Sequence, residues 1–159
     1  MDSEPPAIHA AQAQGCSPVI NALLSGAEHP DPVKPDTIAK SIAIGNPADG
    51  FHVLNTIRKS GGSGATASDE EILDAIQLLA RTEGIFTEPA GGTTLAVAVK
   101  LIQDGTIPGN ESIVVCITGN GYKTTDVIAP RLEKPTPLGR SLREFESFMK
   151  ERKSPQPVG

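Results

Sequence analysis

The chain has 159 residues, enough for one domain or for part of a larger protein, and 38% of them are hydrophobic. Aromatic residues make up only 3% and tryptophan is absent, so a core has to be built from Ala, Val, Ile and Leu. The formal charge of −5 argues against nucleic-acid binding, because neutralising phosphates requires clustered Lys and Arg. Small molecules and protein partners remain as the expected ligands.

Cysteine and histidine spacing gives no sign of a disulfide framework or a metal site. Cys16 and Cys116 lie far apart without a CxxC pairing, and the histidines have no ligand-like spacing. The start of the chain lacks a basic stretch followed by an apolar one, and no window approaches the roughly 20 apolar residues of a membrane span. We therefore expect no metal and no membrane segment, and a reducing, cytoplasmic setting.

The first part of the chain predicts a strand, a helix, a long loop and a second helix. Residues 7–15 (AIHAAQAQG) are mostly apolar, and residues 17–26 (SPVINALLSG) begin near a proline and end at a glycine, as helices do. Prolines and acids in residues 27–37 indicate an irregular connection. Residues 44–50 (IGNPADG) indicate a loop of defined backbone shape before the helical pattern of residues 51–62.

The second part predicts two helices and a buried strand. Ser68 and Glu71 form a capping box before the apolar face of a helix over residues 68–83. Residues 93–105 (TTLAVAVKLIQDG) are apolar on most sides, so we expect this helix to be covered by neighbours. Residues 111–118 (ESIVVCIT) are typical of a strand covered on both faces. Alternating strands and helices predict an α/β fold with an open, mostly parallel sheet flanked by helices.

The domain organisation follows from composition. Residues 1–130 carry the predicted strands and helices, and residues 131–159 form a proline-rich, charged extension with a short helix at about residues 141–151. Residues 61–64 (GGSG) predict a turn, because the lysine and helix that follow a phosphate-binding loop are missing.

Three loops carry candidate binding residues. Thr118 stands at the carboxyl end of the predicted strand, where ligands bind in open parallel sheets, and the glycines after it allow a tight turn. Glu88 precedes two glycines at a helix N-terminus, which suit either an anion or close helix packing. Asn46 suits a turn or a cap. Taken singly, each loop is better explained by plain architecture.

Together, these stretches resemble the C-terminal part of threonine synthase, a pyridoxal-phosphate (PLP) enzyme of fold type II. QAQGCSPVI, IAIGNPADG, IFTEPAGGTT and VVCITGNGYK follow one another in the family's order, and the resemblance covers roughly residues 8–128. IFTEPAGGTT and ITGNG are specific for the fold type, and SIAIGNPADG favours threonine synthases over dehydratases and cysteine synthases. The resemblance implies the C-terminal half of the enzyme's large domain.

The resemblance also implies a PLP site and a reaction. The implied cofactor-binding residues are Ile44, Gly45, Asn46, Glu88, Thr118, Gly119 and Asn120. The Thr118 hydroxyl would hydrogen-bond the pyridine nitrogen, Gly119 and Asn120 would lie beneath the ring, and the other residues would line it. Threonine synthases convert O-phosphohomoserine and water into threonine and phosphate.

The chain departs from the family in what it lacks. The imine-forming lysine lies in an SFKD-like segment that has no counterpart here, and the phosphate-binding glycine loop is also missing. The resemblance therefore implies no catalytic residue in this chain, no activity of the chain alone, and a partner in the N-terminal half of the enzyme, with a homodimer when complete. A threonine dehydratase-like lyase, or a non-catalytic split subunit or orphan fragment, remains open.

Overall fold

The structure, a computed structural model, describes residues 5–153, with the side chains of residues 5–151. The strands and α-helices are β1 (Ala10–Ala13), α1 (Pro18–Ser25), α2 (Gly50–Lys59), β2 (Gly64–Ala67), α3 (Asp69–Glu83), α4 (Pro89–Gln103), α5 (Thr125–Ile128) and α6 (Leu142–Lys153). Short 3-10 helices occupy Lys40–Ile42, Gly121–Lys123 and Ala129–Arg131. One compact unit ends at Ile128 and a second begins at Ala129.

A two-stranded parallel sheet lies between two helical layers, which confirms the predicted α/β class. β1 and β2 pair in register, with Ala10 opposite Gly64 and Ala13 opposite Ala67. Successive residues of a strand face opposite sides, and here Ala13 packs with α3 and α4 while Ala10 packs with α1 and α2. The small alanine side chains let helices approach both faces of the sheet.

β2 is absent from the sequence prediction, which ends a turn at Gly64. Its sequence, Gly-Ala-Thr-Ala, has few of the large branched side chains that mark a strand. Packing explains the small residue at the start of β2. A Cβ at Gly64 would lie 2.6 Å from Cδ1 of Ile20 and 2.7 Å from the carbonyl oxygen of Ala10.

The predicted helices are confirmed, α3 with its capping box. The Ser68 hydroxyl accepts a hydrogen bond from the Glu71 N–H at 3.2 Å, and the Glu71 carboxylate accepts one from the Ser68 N–H at 2.7 Å. α3 ends at Gly84, whose φ of 68° lies in the left-handed region that favours glycine. α4 packs against α3 and both strands, as its apolar surface predicts.

The prediction of a buried strand at residues 111–118 is wrong for this chain. Within the described residues this segment has no strand beside it, and β1 pairs only with β2. Val114 is 90% exposed and Cys116 is also exposed. A strand needs a neighbour for its backbone groups, and these residues are left as an irregular, mostly exposed segment that is rich in apolar side chains. We call residues 111–118 the open segment.

The second unit contains α6, which confirms the short helix predicted near residues 141–151. Its first turn is closed by a hydrogen bond from the Phe145 N–H to the Ser141 carbonyl at 3.2 Å. Across residues 5–153, no helix is long and apolar enough to cross a membrane.

Candidate cofactor site

Two of the predicted loops meet in a short antiparallel pairing. The N–H of Gly121 donates to the carbonyl of Phe86 at 3.0 Å, and the N–H of Glu88 donates to the carbonyl of Gly119 at 3.1 Å. The Phe86 ring packs edge-on against Tyr122, with ring centroids 5.3 Å apart. The structure thereby brings Glu88 beside the TGNG turn, although the two lie about thirty residues apart in the sequence.

Thr87 reinforces this pairing and is missed by the sequence analysis. Its side chain is 1% exposed, and its hydroxyl donates to the Gly119 carbonyl at 2.9 Å. That carbonyl therefore accepts from both the Thr87 hydroxyl and the Glu88 N–H, which fixes the orientation of its peptide plane. A single threonine within the FTEP turn carries no pattern of its own that distinguishes it from an ordinary strand residue.

The Glu88 side chain lies directly against Gly119. A Cβ at Gly119 would overlap the Glu88 carboxylate, and it would lie 2.6 Å from Cγ of Glu88. The Asn120 side chain accepts a hydrogen bond from the Tyr122 N–H at 2.8 Å and so caps the following 3-10 turn. Gly119 is required for close approach, and the amide of Asn120 has a structural role.

Thr118 precedes this turn and is exposed. Within the described part of the chain its hydroxyl makes no hydrogen bond. A threonine hydroxyl can donate one hydrogen bond and accept others. Thr118 therefore presents a free neutral hydroxyl next to a backbone turn that is held in place by Thr87 and Glu88.

The loop over residues 44–46 is held by different partners. The Gly45 carbonyl accepts a hydrogen bond from the Val33 N–H at 2.9 Å, and a Cβ at Gly45 would lie 3.1 Å from Cδ of Pro35. Ile44 is 59% exposed. A hydrogen bond joins this loop to Val33, whereas Glu88 is bonded to Gly119 and Asn120 to Tyr122.

The two glycines at the start of α4 serve helix packing. A Cβ at Gly91 would overlap the Thr87 side chain, and one at Gly92 would lie 2.7 Å from Cγ1 of Ile76 and 2.8 Å from the Ile72 carbonyl oxygen. Of the two interpretations of this helix N-terminus, close packing is the one supported.

Lys100 has a structural partner. Its Nζ lies 2.9 Å from Oε1 of Glu71 and donates to the Thr66 carbonyl at 2.8 Å. The hydrogen bond from the Ser68 N–H, followed by that from Lys100, lowers the pKa of the Glu71 carboxyl below its usual value. Lys100 therefore joins α3, α4 and β2.

Two observations bear on metal and thiol chemistry. Across the described residues no group of three or more His, Cys, Asp or Glu side chains is placed to hold a metal ion. Cys16 is 2% exposed, and burial raises the pKa of its thiol, whereas Cys116 is exposed on the open segment. The two thiols therefore differ in their exposure to solvent.

Comparison with known proteins identifies the family. A family model described as "Pyridoxal-phosphate dependent enzyme" matches residues 1–119. The chain belongs to this family. PLP is the cofactor of its members, and the resemblance seen in the sequence is confirmed at this level.

Within the PLP-dependent family, the chain is similar to proteins named threonine synthase. The chain is 38% identical over 149 residues to a threonine synthase of Methanocaldococcus jannaschii, an alignment that covers 93% of this chain and 37% of the relative. It is 39% identical over 132 residues to a threonine synthase of Methanosarcina acetivorans, covering 82% of this chain and 33% of the relative. The chain thus spans about a third of the length of the relatives it matches.

Solved structures of PLP enzymes share the fold. A threonine synthase from Escherichia coli aligns with a TM-score of 0.55 at 18% identity, covering 91% of this chain and 37% of that one. A fungal L-serine ammonia-lyase from Rhizomucor miehei aligns with a TM-score of 0.58 at 18% identity, covering 77% of this chain and 40% of that one. At this identity the likeness shows the fold alone.

Proposed function

We propose that this chain is part of a threonine synthase, an enzyme that converts O-phosphohomoserine and water into threonine and phosphate with PLP. The observation that carries the proposal is the meeting of the FTEP and TGNG turns, which places Glu88 and Gly119 in contact beside the free hydroxyl of Thr118. Relatives named threonine synthase, 38% and 39% identical over most of the chain, support the choice of reaction.

The residues fit one side of the cofactor. An exposed, unpaired hydroxyl suits the neutral nitrogen of a pyridine ring, and a turn that lacks a Cβ at Gly119 leaves flat backbone beside it. We assign Thr118 to hold the ring nitrogen, and Glu88, Gly119 and Asn120 to support the ring. The loop with Ile44, Gly45 and Asn46 would line another side.

The cofactor, when bound, supplies an electron sink for carbanion chemistry at the substrate. The contribution of this chain is binding and orientation. Two hydrogen bonds fix the Gly119 carbonyl, so the backbone next to Thr118 is held in one orientation. Preorganised donors of this kind lower the cost of reorganisation during the reaction.

The open segment supports the second part of the proposal, a partner. Val114 is 90% exposed in a run that has the composition of a buried strand. We propose that the remainder of the enzyme, the roughly two thirds of the relatives that this chain does not span, supplies the neighbouring strands and the imine-forming lysine. On this proposal the chain alone is inactive. A cytoplasmic setting and a homodimer of the complete enzyme belong to the same proposal.

A fusion protein tests the function. This chain would replace the matched segment of the M. jannaschii relative, and the purified fusion would be assayed for phosphate release from O-phosphohomoserine and for deamination of threonine. Size-exclusion chromatography and thermal unfolding establish that the fusion is folded. Phosphate release with threonine formation is expected. Deamination alone would favour a dehydratase, and a folded fusion with neither activity would favour the non-catalytic alternative.

Variants of Thr118 in the same fusion test the site. Thr118→Val has nearly the same volume but loses the hydroxyl, and an unmade buried hydrogen bond costs about 1–3 kcal/mol, which is a roughly 5- to 150-fold loss in rate if expressed in the transition state. Thr118→Ser keeps the hydroxyl and should keep most of the activity. A Val variant with the rate of the unsubstituted fusion would contradict the assignment of Thr118.

A further inference from the structure

The candidate cofactor loop belongs to an unusually long connection. Between the end of α1 at Ser25 and the start of α2 at Gly50, the described chain contains only the short Lys40–Ile42 helix. Loops of this length are uncommon in compact domains unless they have a function, and a loop that binds a ligand has to be held in one conformation. The hydrogen bonds of the connection show what holds it.

Asp69, the first residue of α3, is the main anchor. Its Oδ1 accepts a hydrogen bond from the Thr37 hydroxyl at 2.6 Å, and the Ile38 N–H donates to Oδ1 at 3.3 Å and to Oδ2 at 3.2 Å. Thr37 is 3% exposed, so its side chain is shielded from water, while Asp69 and Ile38 are half-buried. Hydrogen bonds to a charged acceptor are stronger than neutral ones.

The anchor continues along the backbone to the cofactor loop. The Ala39 N–H donates to the Thr37 hydroxyl at 3.2 Å, which leads into the Lys40–Ile42 helix. The Ile44 N–H then donates to the Ile42 carbonyl at 2.8 Å. The hydrogen bonds from Thr37 to Ile44 are local in the sequence, and the Asp69 carboxylate on α3 is the distant group that holds the first of these residues.

The anchor is separate from the cap of the same helix. Ser68 and Glu71 cap α3 through each other, and neither hydrogen bond involves Asp69. Asp69 instead directs both carboxylate oxygens towards the loop. An acidic first residue of a helix is ordinarily explained by the helix dipole alone. Here the hydrogen bonds that Asp69 accepts from Thr37 and Ile38 indicate a second role, which is to hold the loop.

We propose that Asp69 is a positioning residue, which fixes residues 37–44 through Thr37 and so holds the loop of Ile44, Gly45 and Asn46 in the conformation offered to the cofactor. The inference rests on the proposed function for the role of the loop. The positioning itself is a property of this chain and is measured without cofactor.

Amide hydrogen exchange of the full 159-residue chain, followed by NMR, tests the inference. Asp69→Asn turns one acceptor oxygen into a donor that faces the Ile38 N–H, and Thr37→Val removes the bridging hydroxyl. In both variants the amides of Ile38, Ala39 and Ile44 should exchange about 10-fold faster or more, because each variant removes or weakens the hydrogen bond by which the Thr37 hydroxyl is held to the Asp69 carboxylate. Thr37→Ser should restore protection.

Ser68→Ala is the matched control. Ser68 lies next to Asp69, and its replacement weakens the same end of α3. It should speed exchange in the first turn of α3 and leave the amides of Ile38, Ala39 and Ile44 within about 2-fold of their original rates. If Asp69→Asn and Thr37→Val leave the Ile44 amide unchanged, or if Ser68→Ala releases it equally, the inference is wrong. The exchange rates are measured on the chain alone and do not depend on whether the fusion binds PLP. Failure of the proposed function would appear in the activity assays of the fusion and not in these rates.

Discussion

The core around α3 and α4 and the open segment are both rich in apolar residues, but only the core is covered in this chain. Ile76 of α3 is 2% exposed, packed among α4 and the two strands, whereas Val114 of the open segment is 90% exposed. An apolar pattern indicates that a segment requires cover. It does not indicate that the same chain provides that cover.

The largest expected effect separates these two regions directly. Ile76→Ala leaves a cavity in the core and should lower the free energy of unfolding by about 2–5 kcal/mol. Val114→Ala shortens a side chain that is already in water, and it should change the free energy of unfolding by no more than about 0.5 kcal/mol. Chemical denaturation of the two variants measures both. Equal losses would mean that the open segment packs in solution, and the contrast between the regions would fail.

A smaller effect tests how closely α4 packs on α3. Gly92→Ala places a methyl group 2.7 Å from Cγ1 of Ile76, and overpacking of this kind costs about 1–3 kcal/mol, offset by roughly 1 kcal/mol of helix propensity. We expect a net loss of up to about 2 kcal/mol. Gly109→Ala is the control, because nothing lies within 4 Å of the added Cβ. A Gly92→Ala variant more stable than the parent would show that the glycine is not required for packing.

The smallest effect concerns the exposed edge of the core, where Glu71 meets Ser68 and Lys100. The pKa of Glu71 is lowered in the folded chain, so its contribution to stability is present above the unfolded value of about 4.3 and is lost as pH falls through the folded value. The Glu71–Lys100 pair is partly exposed, and its stabilisation is screened to about 1 kcal/mol or less.

Glu71→Gln tests that contribution. The variant should be less stable than the parent between about pH 6 and 8, and the difference should shrink below about pH 4, where the parent carboxylate takes up a proton. Urea denaturation at several pH values follows the difference. A gap that stays constant down to pH 3 would mean that the charge of Glu71 does not contribute.

Much of the fold is predictable because its signals are local. Each helix end is marked by residues that are close together in the sequence. The capping box of Ser68 and Glu71 marks the start of α3, and the glycines Gly26 and Gly84 mark the ends of α1 and α3. The open segment is mispredicted because a strand depends on non-local neighbours: a strand pattern describes the residues and not the neighbours available to them. β2 is missed because four small residues give too little pattern.

The candidate site also contains residues that the sequence predicts and residues that it does not. The motif order predicts Glu88, Thr118 and Gly119, and the structure places Glu88 against Gly119. Thr87 and Asp69 are not predicted, since their partners lie about thirty residues away in the sequence. Side-chain hydrogen bonds over such separations have no periodic signal, and they become visible only when the fold brings the partners together.

Reactivity of the Cys116 thiol tests most directly whether the open segment is completed by the rest of a PLP enzyme. In this chain alone, Cys116 is exposed and should react with a maleimide at least roughly 100-fold faster than Cys16, which is 2% exposed and has a raised pKa. In the folded fusion with the M. jannaschii relative, Cys116 should become as slow as Cys16, because neighbouring strands and helices then cover it. A folded, PLP-binding fusion in which Cys116 still reacts at the rate seen in the chain alone would contradict this proposal.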